Sequence, residues 1–134
     1  MMSVGYRSLL AAGCLAAAFA ASVACAAEVK DFEKASFDAA RKAGKPVVVD
    51  ISATWCPTCA AQKPIVDALS KEPAYADLIL FHVDFDAQKD VVRALGAQMQ
   101  STLIAFDGDK ETGRSVGDTK PVSIGALFAS TIGD

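Results

Sequence analysis

The hydrophobic positions divide the chain into a leading apolar segment and a series of short elements. Helical spacing of apolar residues occurs over 31–44, 59–72, 88–96 and 121–132, whereas 45–53, 78–85 and 101–106 are apolar, β-branched runs typical of buried strands. The turn at 107–109 predicts a hairpin into a further strand over 110–117. The predicted order is α, β, α, β, α, β, β, α, which indicates one α/β domain.

Glycine and proline mark the predicted helix ends. Gly44 and Gly96 follow the last residues of two helices, where a glycine commonly ends a helix. Pro121 lies early in the last helix, as helix starts allow. Pro64 lies inside the second helix, and we expect it to kink that helix because its ring clashes with the carbonyl four residues earlier.

The leading segment has the pattern of a secretory signal peptide. Residues 1–27 contain one charged side chain, Arg7, followed by an alanine-rich run and then an abrupt change to polar sequence. Small residues permit cleavage before Ala27 or before Glu28. We therefore predict a signal peptide over 1–26 and a mature domain over 27–134, in the periplasm or secreted. An uncleaved membrane anchor and a lipoprotein attached through Cys25 are the alternatives.

Length and charge limit the function of the mature chain. Removing 26 of the 134 residues leaves 108, enough for one domain with one core. All 16 acidic residues and 12 of the 13 basic residues follow the cleavage site, which gives a net charge of −4. This charge argues against nucleic acid as a partner. We also expect no membrane contact after cleavage.

The two cysteines of the mature chain, Cys56 and Cys59, open the second helix directly after a predicted strand. The positive end of a helix dipole stabilises a thiolate, so Cys56 is predicted to be the exposed nucleophile with the lower pKa. Cys59 lies one turn further in, buried, where it can resolve a mixed disulfide. A zinc half-site is the alternative, but it needs a second Cys or His pair and His82 is the only histidine. No metal is therefore expected.

The segment VVVDISATWCPTCAAQKP combines an acid six residues before the first cysteine (Asp50), a tryptophan directly before it (Trp55), the C-x-x-C motif and a proline inside the following helix. With these features residues 29–134 resemble the thioredoxin family, in which the acid is buried and the proline kinks the helix. The resemblance implies a thioredoxin fold, with a central mixed four-stranded sheet flanked by helices. The sequence ARKAGKPVVVDISATWC is also similar to the periplasmic C-terminal domain of transmembrane disulfide reductases.

The resemblance also implies roles for the residues around the dithiol. Cys56 attacks, Cys59 resolves, and Asp50 is a base toward Cys59 because burial raises the pKa of a carboxyl group. His82 stands where the family often has a lysine, which suggests a proton relay with Asp50. The alternatives are a backbone-bonded strand-end residue for Asp50 and an ordinary strand residue for His82. A groove for the partner is predicted from Trp55, Pro57, Thr58, Gln100 and Ser101.

Two positions depart from the family pattern. Pro57-Thr58 separates the cysteines where the family's reductants have Gly-Pro, and Ser101 occupies the position of the family's cis-proline. A cis bond before serine costs roughly 2.5–4 kcal/mol, so Gln100-Ser101 either retains that strain or is trans. Serine also leaves space and adds a hydroxyl group near Cys56.

These observations predict an enzyme, an exported thiol:disulfide oxidoreductase that acts on protein thiols or disulfides and has a membrane disulfide reductase as a candidate partner. No cofactor is expected beyond the redox-active disulfide Cys56–Cys59, and the direction of electron flow is left open. The alternative is a non-catalytic thioredoxin-fold module that binds a soft metal or a cluster at the opened dithiol.

Overall fold

The computed structural model describes residues 25–133. The predicted signal peptide, its membrane-anchor alternative and its lipoprotein alternative therefore lie almost entirely outside the described residues. The described part of the chain contains five strands: β1 Glu28–Asp31, β2 Pro46–Ser52, β3 Ile79–Asp84, β4 Thr102–Asp107 and β5 Lys110–Val116. The same residues form four α-helices, α1 Lys34–Lys42, α2 Pro57–Ser70, α3 Lys89–Ala94 and α4 Pro121–Ala129, with a 3-10 turn at Pro73–Tyr75.

The strands form one mixed sheet in the order β1-β3-β2-β4-β5. Strand β3 runs parallel to β1 and β2, whereas β4 is antiparallel to β2 and β5. The register places Asp50 opposite His82 on one side and opposite Leu103 on the other. The predicted mixed sheet flanked by helices is thus observed, with one strand more than the four predicted.

The additional strand is β1, which the hydrophobic pattern did not indicate. Its sequence, EVKD, contains one apolar residue, Val29, and that side chain is exposed. Pairing with β3 holds the strand in place, and the backbone N–H groups of Glu28 and Phe32 donate to Leu78 and His82 at its two ends. An edge strand held mainly by backbone hydrogen bonds needs no apolar repeat of its own.

Each face of the sheet has its own hydrophobic core. Alternate residues of β2 point to opposite faces, so Val47, Val49 and Ile51 join one core and Val48 joins the other. The second core contains side chains of α2 and α4, among them Val66 and Phe128. Strand alternation therefore places Asp50 on the face covered by α2, beside the start of the helix that carries the dithiol. No helix within residues 25–133 is long and apolar enough to cross a membrane.

Candidate active site

The dithiol lies where β2 passes into α2. Cys56 is the N-cap residue of α2, with φ −88° and ψ 111°, and it forms a disulfide with Cys59 across a Cα–Cα distance of 5.3 Å. The backbone N–H of Cys59 donates to Cys56 Sγ at 3.1 Å. The predicted position of the motif at a helix N-terminus is confirmed. This geometry gives Cys56, and not Cys59, a backbone donor for a sulfur anion.

Both cysteines are buried in the disulfide form. The exposed fraction is 3% for Cys56 and 7% for Cys59. An exposed Cys56 beside a buried Cys59 is thus not observed in the disulfide, and for the reduced thiols it stays a prediction. Ser101, itself 4% exposed, contacts both sulfurs through its hydroxyl group. The exposed fractions therefore do not indicate which cysteine is the better nucleophile. The positions in α2 favour Cys56, which is the N-cap residue, over Cys59, which lies inside the helix.

The hydroxyl group of Ser101 contacts both sulfurs. Its Oγ is 3.1 Å from Cys56 Sγ and 3.2 Å from Cys59 Sγ. The Gln100-Ser101 peptide bond is trans, since no cis bond occurs among residues 25–133. Ser101 instead has φ 59°, in the left-handed region that residues other than glycine seldom adopt. Of the two conformations that the sequence left open, the structure has the trans bond, combined with this unusual φ.

Gln62 is a site residue that the sequence did not reveal. It is 2% exposed, and its Nε2 donates to the carbonyl oxygen of Ser101 at 3.2 Å and to that of Asp118 at 2.7 Å. The backbone N–H of Gly117 also donates to the Ser101 carbonyl, at 2.9 Å. One signal was available: Gln62 lies at helical spacing from Cys59 and Val66, on the buried face of α2.

A cavity of about 430 Å³ lies beside the dithiol on the Asp50 side. Its lining includes Asp50, Cys59, Lys63, Asp67 and His82. Burial raises the pKa of Asp50 above its usual value, the nearby charges of His82 and Lys63 lower it in part, and Asp67 raises it further. Asp50 thus lies inside β2 and not at its end, as a partly buried acid that faces the same cavity as Cys59.

His82 lies next to Asp50 in the sheet register and faces the same cavity. Its Nδ1 is 3.4 Å from the hydroxyl oxygen of Ser52. The structure therefore brings the predicted relay residue and the predicted base together on adjacent strands. The proton relay itself stays a prediction.

The predicted groove residues lie around the dithiol with different exposures. Trp55 is 57% exposed, and its indole Nε1 donates to Asp86 Oδ2 at 2.6 Å, so its ring is fixed at the surface and is not part of a core. Pro57 and Thr58 are the first two residues of α2, and Gln100 is half-buried. Met99, which the sequence analysis did not single out, is an exposed apolar side chain two residues before Ser101.

The side chains around the dithiol limit the metal site that one chain could supply. Residues 25–133 contain no group of three or more His, Cys, Asp or Glu side chains placed to hold a metal ion. The side-chain group in contact with both sulfurs is the Ser101 hydroxyl, a hard donor that does not suit a soft metal.

Comparison with known proteins identifies the family. The thioredoxin family model matches residues 28–129. Thioredoxin-2 of Saccharomyces cerevisiae is 34% identical over 97 residues, 72% of this chain and 90% of the yeast protein. A thioredoxin H-type of Brassica campestris is 32% identical over 82 residues, 61% of this chain and 65% of the plant protein. The crystal structure of Trxlp from Edwardsiella tarda EIB202 superposes with a TM-score of 0.73 at 37% identity, covering 75% of this chain and 98% of Trxlp.

The chain belongs to the thioredoxin family. Together with the Cys56–Cys59 disulfide at the C-x-x-C motif, this membership shows a thiol:disulfide oxidoreductase with the thioredoxin fold. The family acts on protein disulfides, so protein thiols and disulfides are its partners. The resemblance inferred from the motif around Asp50, Trp55 and the dithiol is confirmed.

The predicted location is wrong by the same comparison. A periplasmic or secreted protein was expected, but the relatives that match include thioredoxins of a yeast, a filamentous fungus and several plants, and these do not support export. The expectation rested on residues 1–26, nearly all of which lie outside the described residues. A run of alanine after one basic residue fits a signal peptide by composition alone. The signal peptide stays a prediction, and an exported location is not part of the function proposed below.

Proposed function

We propose that the W-C-P-T-C segment exchanges disulfides with partner proteins, with Cys56 as the attacking sulfur and Cys59 as the resolving sulfur. The observation that carries this assignment is the N-cap position of Cys56. Its Sγ accepts the backbone N–H of Cys59 at 3.1 Å and lies at the positive end of α2, whereas Cys59 lies inside the helix. Both effects favour a negative charge on Cys56 over one on Cys59.

When a partner disulfide is reduced, the Cys56 thiolate attacks one partner sulfur. The partner S–S bond breaks, its electron pair leaves on the second partner sulfur, and a mixed disulfide forms. Cys59, as thiolate, then attacks Cys56 Sγ and displaces the first partner sulfur. Two electrons have passed to the partner, and the Cys56–Cys59 disulfide is formed. Oxidation of a partner dithiol is the reverse sequence.

Asp50 is proposed as the base that takes the proton of Cys59. Burial raises the pKa of Asp50, so the carboxyl group can hold a proton at a pH where an exposed aspartate cannot. Asp50 and Cys59 line the same cavity, and His82 faces that cavity from the adjacent strand. In this proposal His82 passes protons between Asp50 and the solvent.

Partner proteins are proposed to dock against the exposed apolar side chains beside the dithiol. Trp55 directly precedes Cys56, and its ring is held by Asp86. Met99 lies close in sequence to Ser101, which contacts both sulfurs. Pro57, Thr58 and Gln100 complete the proposed contact surface. A membrane disulfide reductase as a specific partner stays a prediction.

The test is the reduction of insulin disulfides by the full chain with dithiothreitol as electron donor. We expect Cys56→Ser to abolish turnover, and Cys59→Ser to stop it after a mixed disulfide has formed. Cys25→Ser is the matched control, because Cys25 is a free, exposed cysteine outside the site. Metal analysis of the same preparations tests the binding-module alternative. Wild-type turnover by Cys56→Ser would overturn the assignment, as would bound metal in the absence of any turnover.

A further inference from the structure

The Ser101 hydroxyl lies within hydrogen-bond distance of both reacting sulfurs, at 3.1 and 3.2 Å. Neither sulfur of a disulfide carries a hydrogen atom, so the hydroxyl group is the donor in this form. Ser101 is 4% exposed, which leaves water little access to compete for the hydroxyl. One buried donor is therefore shared between the two atoms that gain and lose electrons.

The backbone of Ser101 is held so that the hydroxyl stays at the sulfurs. A φ of 59° is unfavourable for serine and must be maintained by surrounding contacts. Two donors fix the Ser101 carbonyl oxygen, the backbone N–H of Gly117 and the side-chain amide of Gln62. Gln62 is in turn held by the carbonyl oxygen of Asp118. The amide of Gln62 thus links α2 to the loop that carries Ser101.

We propose that Ser101 is a catalytic hydrogen-bond donor to the thiolates that form when the disulfide opens, and that Gln62 is a positioning residue for Ser101. The inference rests on the proposed function, in which Cys56 and Cys59 are the exchanging sulfurs. The proposal predicts the direction of the effect. With the Ser101 hydroxyl group, the Cys56–Cys59 disulfide is a stronger oxidant of partner dithiols than it would be without this group.

The oxidation of a partner dithiol shows where the hydroxyl acts. A partner thiolate attacks Cys56 Sγ, the Cys56–Cys59 bond breaks, and its electron pair leaves on Cys59. The second partner thiolate then attacks the partner sulfur of the mixed disulfide, and Cys56 leaves as a thiolate. The partner loses two electrons and two protons. The protein gains both electrons, Cys59 takes one proton, and the other proton goes to the solvent.

Each leaving sulfur in this sequence is within reach of Ser101 Oγ. A hydrogen bond to a charged acceptor is roughly twice as strong as one between neutral groups, so the donor stabilises the thiolate more than the disulfide. Stabilising the reduced form raises the reduction potential. Because sulfur is a weak acceptor, we take the low end of the range for hydrogen bonds to charged groups. About half of that remains as the difference from the neutral bond, which is roughly a fourfold change in the equilibrium constant.

The experiment measures the thiol–disulfide equilibrium of the full chain with glutathione, and the pH dependence of Cys56 alkylation. Ser101→Ala removes the hydroxyl group and keeps the cost of the positive φ, whereas Ser101→Gly removes the hydroxyl group and that cost together. We expect both variants to disfavour the reduced form by roughly fourfold, about 18 mV for a two-electron couple. Both should also shift the alkylation profile of Cys56 to higher pH.

Gln62→Met tests the positioning role, because methionine keeps the length of the side chain but lacks the amide donor. We expect a smaller change in the same direction, and no further change when Gln62→Met is added to Ser101→Ala. A merely structural role would lower the thermal midpoint without moving the equilibrium. Gln88→Met is the matched control, since the amide of Gln88 donates to the Phe32 carbonyl and has no contact with the dithiol. It should leave the equilibrium unchanged.

Unchanged equilibria in both Ser101 variants would overturn the inference, and so would a change confined to Ser101→Gly, which would assign the effect to the backbone. Additive effects of Ser101→Ala and Gln62→Met would remove the positioning role of Gln62. These outcomes are distinct from a failure of the proposed function, which would appear as insulin turnover by Cys56→Ser. The inference fails alone if Cys56→Ser is inactive while the Ser101 variants match the wild type.

Discussion

Replacing Asp50 with asparagine is expected to stabilise the fold at neutral pH and to slow the reaction. Burial raises the pKa of Asp50 above its usual value of 3.8. The folded state therefore binds a proton more readily than the unfolded state, and stability falls as the pH rises from the unfolded pKa to the folded one. At neutral pH the buried charge opposes folding, and Asp50→Asn removes this charge with little change of shape.

The size of the gain follows from the surroundings of the carboxylate. Burying a polar group without full compensation costs about 1–3 kcal/mol in mutational data, and a charged group costs more. The asparagine amide keeps the polar part of this cost, so the gain is the additional cost of the charge, which we take to lie in the same range. His82 and Lys63 lower the pKa of Asp50 and so compensate part of the cost, which favours the lower half of that range. For a domain of this size, each kcal/mol changes the thermal midpoint by about 4–8 °C. Near pH 3 the wild-type carboxyl is also neutral, so the gain should vanish there.

Thermal unfolding of the wild type and Asp50→Asn, followed from about pH 3 to pH 9 in the oxidised form, measures the effect. Insulin turnover should fall severalfold in the same variant, because Cys59 loses its proposed base. A midpoint that does not rise at neutral pH would refute the account of a buried, destabilising carboxylate. A rise of equal size near pH 3 would also refute it, since charge would then not be the cause.

Three further predictions concern other parts of the fold. Hydrogen bonds from the backbone N–H groups of Ala87 and Asp86 lower the pKa of Asp84, so this carboxylate stabilises the fold above pH 3.8 and the stabilisation is lost as the pH falls through the folded pKa. Thermal unfolding should therefore show Asp84→Asn to be less stable than the wild type at pH 7 and equally stable in acid. Proline at position 101 cannot adopt φ 59°, so Ser101→Pro should lose the two hydrogen bonds to the carbonyl oxygen of residue 101. The free energy of unfolding in urea should fall by about 2 kcal/mol, and an unchanged midpoint would contradict this. Phe128→Ala should cost about 3–5 kcal/mol by the same assay, because this ring is fully buried, and a loss below about 1 kcal/mol would contradict its place in the core.

The hydrophobic pattern predicted those elements that bury their own side chains. Strands β2, β3 and β4 appear as continuous apolar runs because helices cover both faces of the sheet. Strand β1 gave no such signal, since Val29 is its only apolar residue and faces outward. Its position depends on backbone pairing with β3, which a side-chain pattern does not encode.

In the candidate site, the sequence predicted the contacts between residues that are close along the chain but not those between distant residues. Asp50, Trp55, Cys56 and Cys59 belong to one strand-turn-helix segment, so their spacing alone predicts that they meet. The contact of Gln62 with the Ser101 carbonyl joins residues 39 positions apart. A glutamine on a helix is usually solvated, and the sequence does not show that this one is buried.

The sequence limited the Gln100-Ser101 peptide bond to two alternatives but did not show which of them the protein adopts. Serine in place of the family's proline left a strained cis bond or a trans bond as alternatives. The structure has the trans bond with a left-handed φ, held by contacts from Gln62 and Gly117. These contacts come from two other parts of the chain, so the conformation is a product of tertiary packing.

The most direct test of the central claim, that Cys56 is the sulfur that attacks partners, is the intact mass of a trapped intermediate. Reduced Cys59→Ala is mixed with a peptide that contains one disulfide, and the adduct is mapped by proteolysis. Because the resolving sulfur is missing, we expect a stable mixed disulfide on Cys56. Absence of an adduct, or an adduct mapped only to the exposed Cys25, would contradict the claim.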